Sequence, residues 1–257
     1  MTYSDILAKY DSYVDRYRNG EGRLPEMMQL KREHTAFVVE NATLIAEGEG
    51  FSTEMAEDAK IAALLHDTGR YEQLRLYNTF KDSDSVDHAV LSHDIVEKQG
   101  WVADRAILDA VLFHNRRDLP QNIDRRTGAL SHVVRDADKL DIFRVLENQI
   151  ATTPWRSDSR AFWNLSTAGA PNPEVVKAIE ERRPVDYQNI RNLADFVLIQ
   201  VGWIAGGLHF ATARRLANER GHLEYRRNFL HQLTDSPEID RLCDMAANAR
   251  HLLPATV

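Results

Sequence analysis

The chain has 257 residues, which is long enough to bury a full hydrophobic core, and a single domain is favoured over two. Its 32 Lys and Arg residues face 39 Asp and Glu residues, and the net charge of -7 argues against a general nucleic-acid binder, which would carry a basic excess or stripe. The single cysteine, Cys243, permits no disulfide within the chain, and the first residues lack the charged and apolar regions of a secretory signal, so we expect a reducing, cytoplasmic location.

The first predicted helix opens at Pro25, a residue favoured at the first helical position. Apolar residues recur along it at three- and four-residue spacing, and His34 lies on the same stripe. Gly48 and Gly50 mark its end. His34 is therefore expected to face the core.

The second predicted helix is capped by Ser52 or Thr53 and runs to Gly69. The doublet His66-Asp67 follows an apolar run in its last turn. Burying two such polar groups without partners would cost roughly 2–7 kcal/mol each. We therefore expect a bound group or another side chain to satisfy them.

The next segment, residues 71–85, is predicted to be a polar and aromatic connection beside the doublet. Ser83 or Ser85 then begins a third helix. A fourth helix spans Ala103 to His114, and the periodicity places that last histidine on the inward face.

A fifth helix is predicted to begin at Thr127. Asp138 lies on its apolar stripe and is the inward carboxylate, whereas His132 and Asp136 project away from that stripe. Asp136 and Asp141 are expected at the surface or behind the ligands, and His132 in solvent.

The C-terminal part of the chain follows a loop that contains prolines. Its longest apolar stretch, 196–210, is interrupted by Gln200 and three glycines, so we interpret it as a buried helix and expect no membrane span. No alternating strand pattern is found, and the expected fold class is all-α in one domain over 1–257. Helices are predicted in three ranges here: 173–182, 187–219 and 236–252.

Six side chains in the predicted helices are suited to metal binding: His34, His66, Asp67, His88, His114 and Asp138. His88 competes with His93, because five residues rotate a helix by about 140° and the two cannot face the same site. Helical periodicity alone leaves this choice open.

These motifs resemble the HD superfamily, which takes its name from the His-Asp doublet. The doublet is that in Leu64-Leu65-His66-Asp67-Thr68-Gly69-Arg70, and the family's first histidine and closing aspartate match Arg32-Glu33-His34-Thr35 and Asp136-Ala137-Asp138-Lys139. The resemblance implies a helical bundle with its core over about 25–150 and additional helices over about 173–252. It also implies that four residues bind one metal: His34, His66, Asp67 and Asp138.

Two further histidines look like those of the dinuclear branch of the superfamily, namely His88 and His114. This likeness favours His88 over His93 and implies a second metal, with Asp67 as the bridge. The sequence after His114 lacks the His and Gly-Tyr-Pro signature of the branch that degrades cyclic dinucleotides. No Glu-Asp pair of the alarmone hydrolases follows the doublet either, so neither substrate is expected.

The resemblance and the ligand types together predict a metal-dependent phosphohydrolase. Imidazole and carboxylate ligands suit divalent Fe, Mn, Co, Ni or Zn, and we expect two ions per chain. Such a pair activates water and stabilises charge on a phosphoryl oxygen. Asp67 is the central predicted catalytic residue, with Arg70 and Lys139 supplying positive charge for an anionic substrate.

The expected partner is a small phosphate-containing substrate, a phosphomonoester or phosphodiester of a nucleotide or metabolite, and neither nucleic acid nor membrane. Whether the chain forms a homo-oligomer stays open. Two other functions stay in view. One is a di-iron oxygenase that cleaves a C–C or C–P bond, and the other is a regulatory domain that binds a metal or nucleotide without catalysis.

Overall fold

The computed structural model describes residues 2–156, 162 and 164–249. Throughout these ranges the regular structure is helical, and the β-type pairing found there is an isolated bridge between Ser166 and Asn192. The predicted all-α fold class is therefore confirmed. The chain divides into two compact units, one up to Asp141 and one from Ile142 onward. The single domain over 1–257 stays a prediction, since compactness alone does not decide whether two units fold independently.

The first unit is built on helices that pack around the doublet. The unit comprises α1 (Tyr3–Asp15), α2 (Glu26–Gly48), α3 (Thr53–Leu65), α4 (Gly69–Tyr77), α5 (His88–Lys98), α6 (Arg105–Phe113) and the part of α7 (Arg125–Thr152) up to Asp141. Helix α2 packs on α3, α3 packs on α6, and α5 packs on both α4 and α6.

Helix α1 was not among the predicted elements, although its sequence carries the signals. Thr2 caps it through a reciprocal capping box with Asp5. Its buried residues recur at helical spacing: Ile6, Tyr10, Tyr13 and Val14.

Two predicted boundaries in the first unit are wrong by three residues or more. Helix α3 ends at Leu65, and Gly69 begins α4, so much of the predicted connection over 71–85 is helical. Helix α5 begins at His88 because the Asp87 carboxylate accepts the backbone N–H groups of Ala89 and Val90. The residues that were expected to begin it, Ser83 and Ser85, lie in and after a short 3-10 turn.

The second unit contains more breaks than predicted. The range 187–219, predicted as one helix, is divided by a π-helical turn over Trp203–Gly207. A further helix begins after Gly221, whose φ of 72° lies in the left-handed region. In the range 236–252 the helix begins at Glu238, and residues 250–252 lie outside the described part of the chain. The unit comprises the rest of α7, α8 (Pro173–Glu180), α9 (Leu193–Gly202), α10 (Ala211–Glu219), α11 (His222–Leu233) and α12 (Glu238–Asn248). None of the helices in the described ranges combines the length and hydropathy that a bilayer span requires.

Candidate metal centre

The carboxylate of Asp67 lies at the centre of four histidines, two on each oxygen. Oδ2 lies 3.7 Å from Nε2 of His34 and 3.6 Å from Nε2 of His66. Oδ1 lies 3.5 Å from Nε2 of His88 and 3.9 Å from Nε2 of His114. All five side chains are buried. The structure thus brings together residues from α2, the α3–α4 junction, α5 and the end of α6.

The other ring nitrogen of each histidine, Nδ1, is held by a nearby oxygen. The Nδ1 atoms of His66 and His114 lie 2.7 Å from the backbone carbonyls of Ala63 and Val111, one turn earlier in their own helices. Those of His34 and His88 lie 2.6 Å from carboxylates, of Asp141 and Asp82 respectively. An Nδ1–H donated to such an acceptor leaves Nε2 with its lone pair, and all four Nε2 atoms lie around Asp67.

Asp138 completes the side of the site formed by His34 and His66. Its Oδ1 lies 3.1 Å from Nε2 of His34 and 3.9 Å from Nε2 of His66. Candidate ligand atoms of these three residues lie within 4.8 Å of one another, as do those of a second group, His66, Asp67 and His114. The inward position of Asp138 on α7 agrees with its place on the apolar stripe of the sequence.

The charges of these groups fit a cation. Burial acts to raise the pKa of Asp67, but Lys31, His66 and Arg70 hold it well below its usual value. Burial likewise opposes ionisation of Asp138, and the neighbouring His34 and His66 nevertheless lower its pKa. Burial lowers the pKa of His66 and, with the nearby histidines, lowers that of His114 well below its usual value. Ionised carboxylates beside neutral imidazoles are the forms that bind metals, and His66 and His114 fit this description. His34 differs, because burial and Lys31 act to lower its pKa but the neighbouring Asp138 and Asp141 carboxylates raise it.

Two buried nitrogens in the centre lack hydrogen bonds. Within the described residues the Nε2 atom of His66 has no hydrogen-bond partner, and that of His34 lies 3.1 Å from Oδ1 of Asp138 without the geometry of a hydrogen bond. An unsatisfied buried polar group costs about 1–3 kcal/mol. A divalent ion bound by these nitrogens and by the carboxylates would remove that cost, so the donor set fits a borderline transition metal.

The part of the chain that contains these residues is similar to a known domain family. Residues 32–142 match the family model of the HD domain. The matched segment contains all six predicted ligands and supports the HD superfamily for this part of the chain. Searches of the curated proteins and of the solved structures gave no match.

Lys31, one residue before the matched segment, is a cation beside Asp67 that was not predicted from the sequence. Its Nζ lies 2.7 Å from Oδ2 of Asp67, and its side chain is 19% exposed. It stands one turn before His34 on α2, and its Nζ lies 5.5 Å from the centre of the Phe80 ring. The three-residue spacing from His34 was the available signal, because such residues share a helix face.

The predicted cation Arg70 is held by the protein itself. Its Nε lies 3.3 Å from Oδ1 of Asp67, and its NH1 donates to Gln73, to the Phe80 carbonyl and to Asp82 at 2.6–2.9 Å. Its NH2 lies 3.3 Å from Nε2 of His88. Arg70 therefore joins Asp67 to the segment after α4, and a contact with substrate stays a prediction.

Other predicted residues fall outside the cluster around Asp67. Lys139 is partly buried, and burial lowers its pKa to about 8 although the charge of Asp136 acts to raise it. Its contact with substrate stays a prediction. His93 is buried with Nδ1 3.1 Å from its neighbour Asp94, and it belongs to none of the candidate metal groups. Asp136 is 1% exposed, so the surface position expected for it is wrong. Asp141 lies behind His34, which is one of the two positions expected for it.

Gly69 fixes how closely α4 approaches α5. A Cβ at this position would lie 2.7 Å from the backbone nitrogen of Ser92 and 2.8 Å from the carbonyl oxygen of His88. We expect Gly69→Ala to separate the two helices, to destabilise the fold by about 1–3 kcal/mol and to weaken metal binding through His88. Denaturant unfolding and metal titration would measure both effects. Gly20→Ala is the control, because nothing lies within 4 Å of its Cβ, and equal effects of the two substitutions would contradict the packing argument.

Proposed function

We propose that this chain is a metal-dependent phosphohydrolase of the six-ligand, dinuclear branch of the HD superfamily. The proposal rests on one observation above all: the two oxygens of Asp67 face two different pairs of histidine Nε2 atoms. A carboxylate can bridge two metals through its two oxygens, whereas a neutral imidazole offers one free nitrogen.

The chain's own residues divide into two ligand groups. His34, His66 and Asp138 lie on the Oδ2 side of Asp67, and His88 and His114 lie on the Oδ1 side. Bound Fe, Mn, Co, Ni or Zn would there supply a Lewis acid and lower the pKa of a water molecule. The Nδ1 contacts orient the imidazoles in advance, so little rearrangement is needed for binding.

Positive charge near Asp67 supports an anionic substrate. Lys31 brings an ammonium group to within 2.7 Å of Oδ2 of Asp67, and Arg70 brings a guanidinium whose NH2 lies 3.3 Å from Nε2 of His88. Lysine acts toward phosphate as a point charge, whereas arginine favours two-point contacts. We propose a small phosphomonoester or phosphodiester, such as a nucleotide, as the substrate, with Lys31 added to Arg70 and Lys139 as candidate phosphate contacts.

The test combines metal analysis with a substrate screen. Protein purified without chelator, and protein reloaded with Mn²⁺, Co²⁺, Fe²⁺, Ni²⁺ or Zn²⁺, is assayed for phosphate release from nucleotides and sugar phosphates and for cleavage of phosphodiesters. The expected result is two metals per chain and turnover that chelator abolishes. Metal-loaded protein that hydrolyses none of these phosphate esters would contradict the proposed reaction.

A second candidate function is a di-iron oxygenase, favoured by the donor set itself. Four imidazoles with two carboxylates form a nitrogen-rich set, which suits iron as well as zinc. The discriminating measurement is O2 uptake by the Fe²⁺-loaded protein in the presence of a polyol or a hydroxyphosphonate. O2 uptake that requires the polyol or hydroxyphosphonate, in protein that releases no phosphate from phosphate esters, would favour the oxygenase.

Lys31→Gln is expected to weaken phosphate binding while metal remains bound. A hydrogen bond to a charged group contributes about 1.5–3 kcal/mol, so we expect KM to rise by about 10–100-fold. Steady-state kinetics on the Mn²⁺-loaded protein and a metal count would measure this, with Lys98→Gln, an exposed lysine on α5, as the control. An unchanged KM with full metal content would remove Lys31 from the substrate site.

A further inference from the structure

Asp82 connects the segment after α4 to the His88 side of the metal centre. Its Oδ2 lies 2.6 Å from Nδ1 of His88. Its other oxygen, Oδ1, accepts from Arg70 NH1 and from Gln73 Nε2, each at 2.9 Å. Both carboxylate oxygens of Asp82 are thus in use, and one of them is aimed at a predicted ligand.

The two carboxylates behind the histidines have different settings. Asp141, behind His34, is 1% exposed and lies on the long helix α7. Asp82, behind His88, lies in a short 3-10 turn, and its side chain is 33% exposed. The His88 side of the site therefore depends on a turn at the surface, whereas the His34 side depends on a buried helix.

The turn has anchors that do not involve Asp82. Gln73 is fully buried on α4, and its Nε2 also donates to Ser85 Oγ at 2.9 Å and to the Val86 carbonyl at 3.0 Å. Arg70 binds the Phe80 carbonyl on the other side of the turn at 2.6 Å. Removing the Asp82 carboxylate should therefore leave the path of the chain in place and remove chiefly the acceptor for His88.

We propose that Asp82 is a positioning residue that fixes His88 in the tautomer with hydrogen on Nδ1 and so sets the strength of the second metal position. This proposal rests on the proposed dinuclear function, because that function places the second metal on the His88 side of the site. A carboxylate that accepts the Nδ1–H of a histidine orients the ring and increases the basicity of Nε2, and loss of such a partner weakens metal binding by about 10–100-fold.

The test compares Asp82→Ala with Asp84→Ala in the full chain. Asp84 lies in the same turn, its side chain is 55% exposed, and it pairs with Lys81, so it is a matched control without a contact in the metal centre. Calorimetric titration with Zn²⁺ measures both binding steps. We expect the weaker step to lose about 10–100-fold in affinity in Asp82→Ala, with the tighter step unchanged and Asp84→Ala equal to the wild type.

A second readout examines the tautomer in metal-free protein and does not depend on metal number or on activity. Nitrogen-15 spectra of histidine-labelled protein, with the His88 signals assigned by their absence in His88→Gln, report which nitrogen carries hydrogen. Nδ1-protonated His88 in the wild type and in Asp84→Ala, lost in Asp82→Ala, supports the proposal. A His88 tautomer unaffected by Asp82→Ala overturns it.

The two readouts also separate this proposal from the proposed function. If the wild type binds one Zn²⁺, the dinuclear function fails and the tautomer spectrum alone decides the role of Asp82. If the wild type binds two and Asp82→Ala binds both with wild-type affinity, the positioning role fails while the dinuclear site stands.

Discussion

Asp67→Asn should prevent metal binding at the candidate centre and abolish the proposed phosphohydrolase activity while the protein stays folded. The substitution keeps the shape of the side chain but removes the negative charge between four histidine Nε2 atoms. We expect metal content near zero after dialysis and a loss of turnover of at least about 10³-fold, which exceeds the typical effect of removing a single electrostatic contact in an active site.

The physical reason lies in what surrounds this carboxylate. Lys31 and Arg70 also contact the Asp67 carboxylate. An amide at this position therefore leaves two positively charged side chains beside the proposed metal ions. Repulsion from them then opposes metal binding, in addition to the loss of the bridging oxygen charge. Elemental analysis and isothermal titration with Mn²⁺ would measure the loss.

His93→Gln serves as the control for this experiment. His93 is buried on the same helix as His88 but belongs to none of the candidate metal groups. It should retain wild-type metal content and turnover. An inactive, metal-poor His93→Gln protein beside an active Asp67→Asn protein would reverse the assignment of the centre.

The sequence predicted the inward direction of those side chains that lie on the apolar stripe of a single helix. His34, His114 and Asp138 each lie on an apolar stripe, and a stripe predicts an inward side chain. For His88 the periodicity left His93 open, because Val90 supports an inward His93 while Leu91 and Ile95 support an inward His88. The resemblance to the HD superfamily favoured His88, and the structure places that residue beside Asp67.

The contacts that the sequence did not predict are those between elements far apart in the chain. Asp141 meets His34 across 107 residues, and Lys31 meets Asp67 across 36. Periodicity gives the direction of a side chain from its own helix axis, and it carries no information on which helix lies opposite. The same limit applies to α4, where a buried Gln73 and a close-packed Gly69 gave the segment a polar pattern that resembles a loop.

Arg226→Met is expected to destabilise the second unit by about 3–5 kcal/mol, the usual cost of removing one partner of a buried ion pair. Arg226 is 1% exposed and lies with its guanidinium carbon 4.3 Å from the centre of the Phe143 ring. It donates to the Glu147 carboxylate at 2.7 Å, to the Gln200 amide oxygen at 2.7 and 2.9 Å, and to two backbone carbonyls. Methionine preserves most of the apolar stem and leaves these acceptors without the donor.

Arg215→Met is the control for this substitution. The Arg215 side chain is 56% exposed and pairs with Glu219 one turn later on α10. An exposed pair of this kind contributes about 0.3–0.5 kcal/mol, so the control should unfold almost as the wild type does. Urea unfolding followed by circular dichroism would measure the difference, and equal midpoints for the two variants would contradict a structural role for Arg226.

The stability difference between wild type and Arg226→Met should also narrow as the pH falls. Burial acts to raise the pKa of Glu147, but His222 and Arg226 hold it below its ordinary value of 4.5. A carboxyl whose pKa is lowered by folding contributes stability above its unfolded pKa, and that contribution is lost as the pH falls through the folded pKa. In Arg226→Met the pKa of Glu147 is lowered less, so less stability remains to be lost in acid. Unfolding free energies measured from about pH 7 to about pH 3.5 should therefore converge, and a constant difference over that range would show that the charge of Glu147 does not contribute.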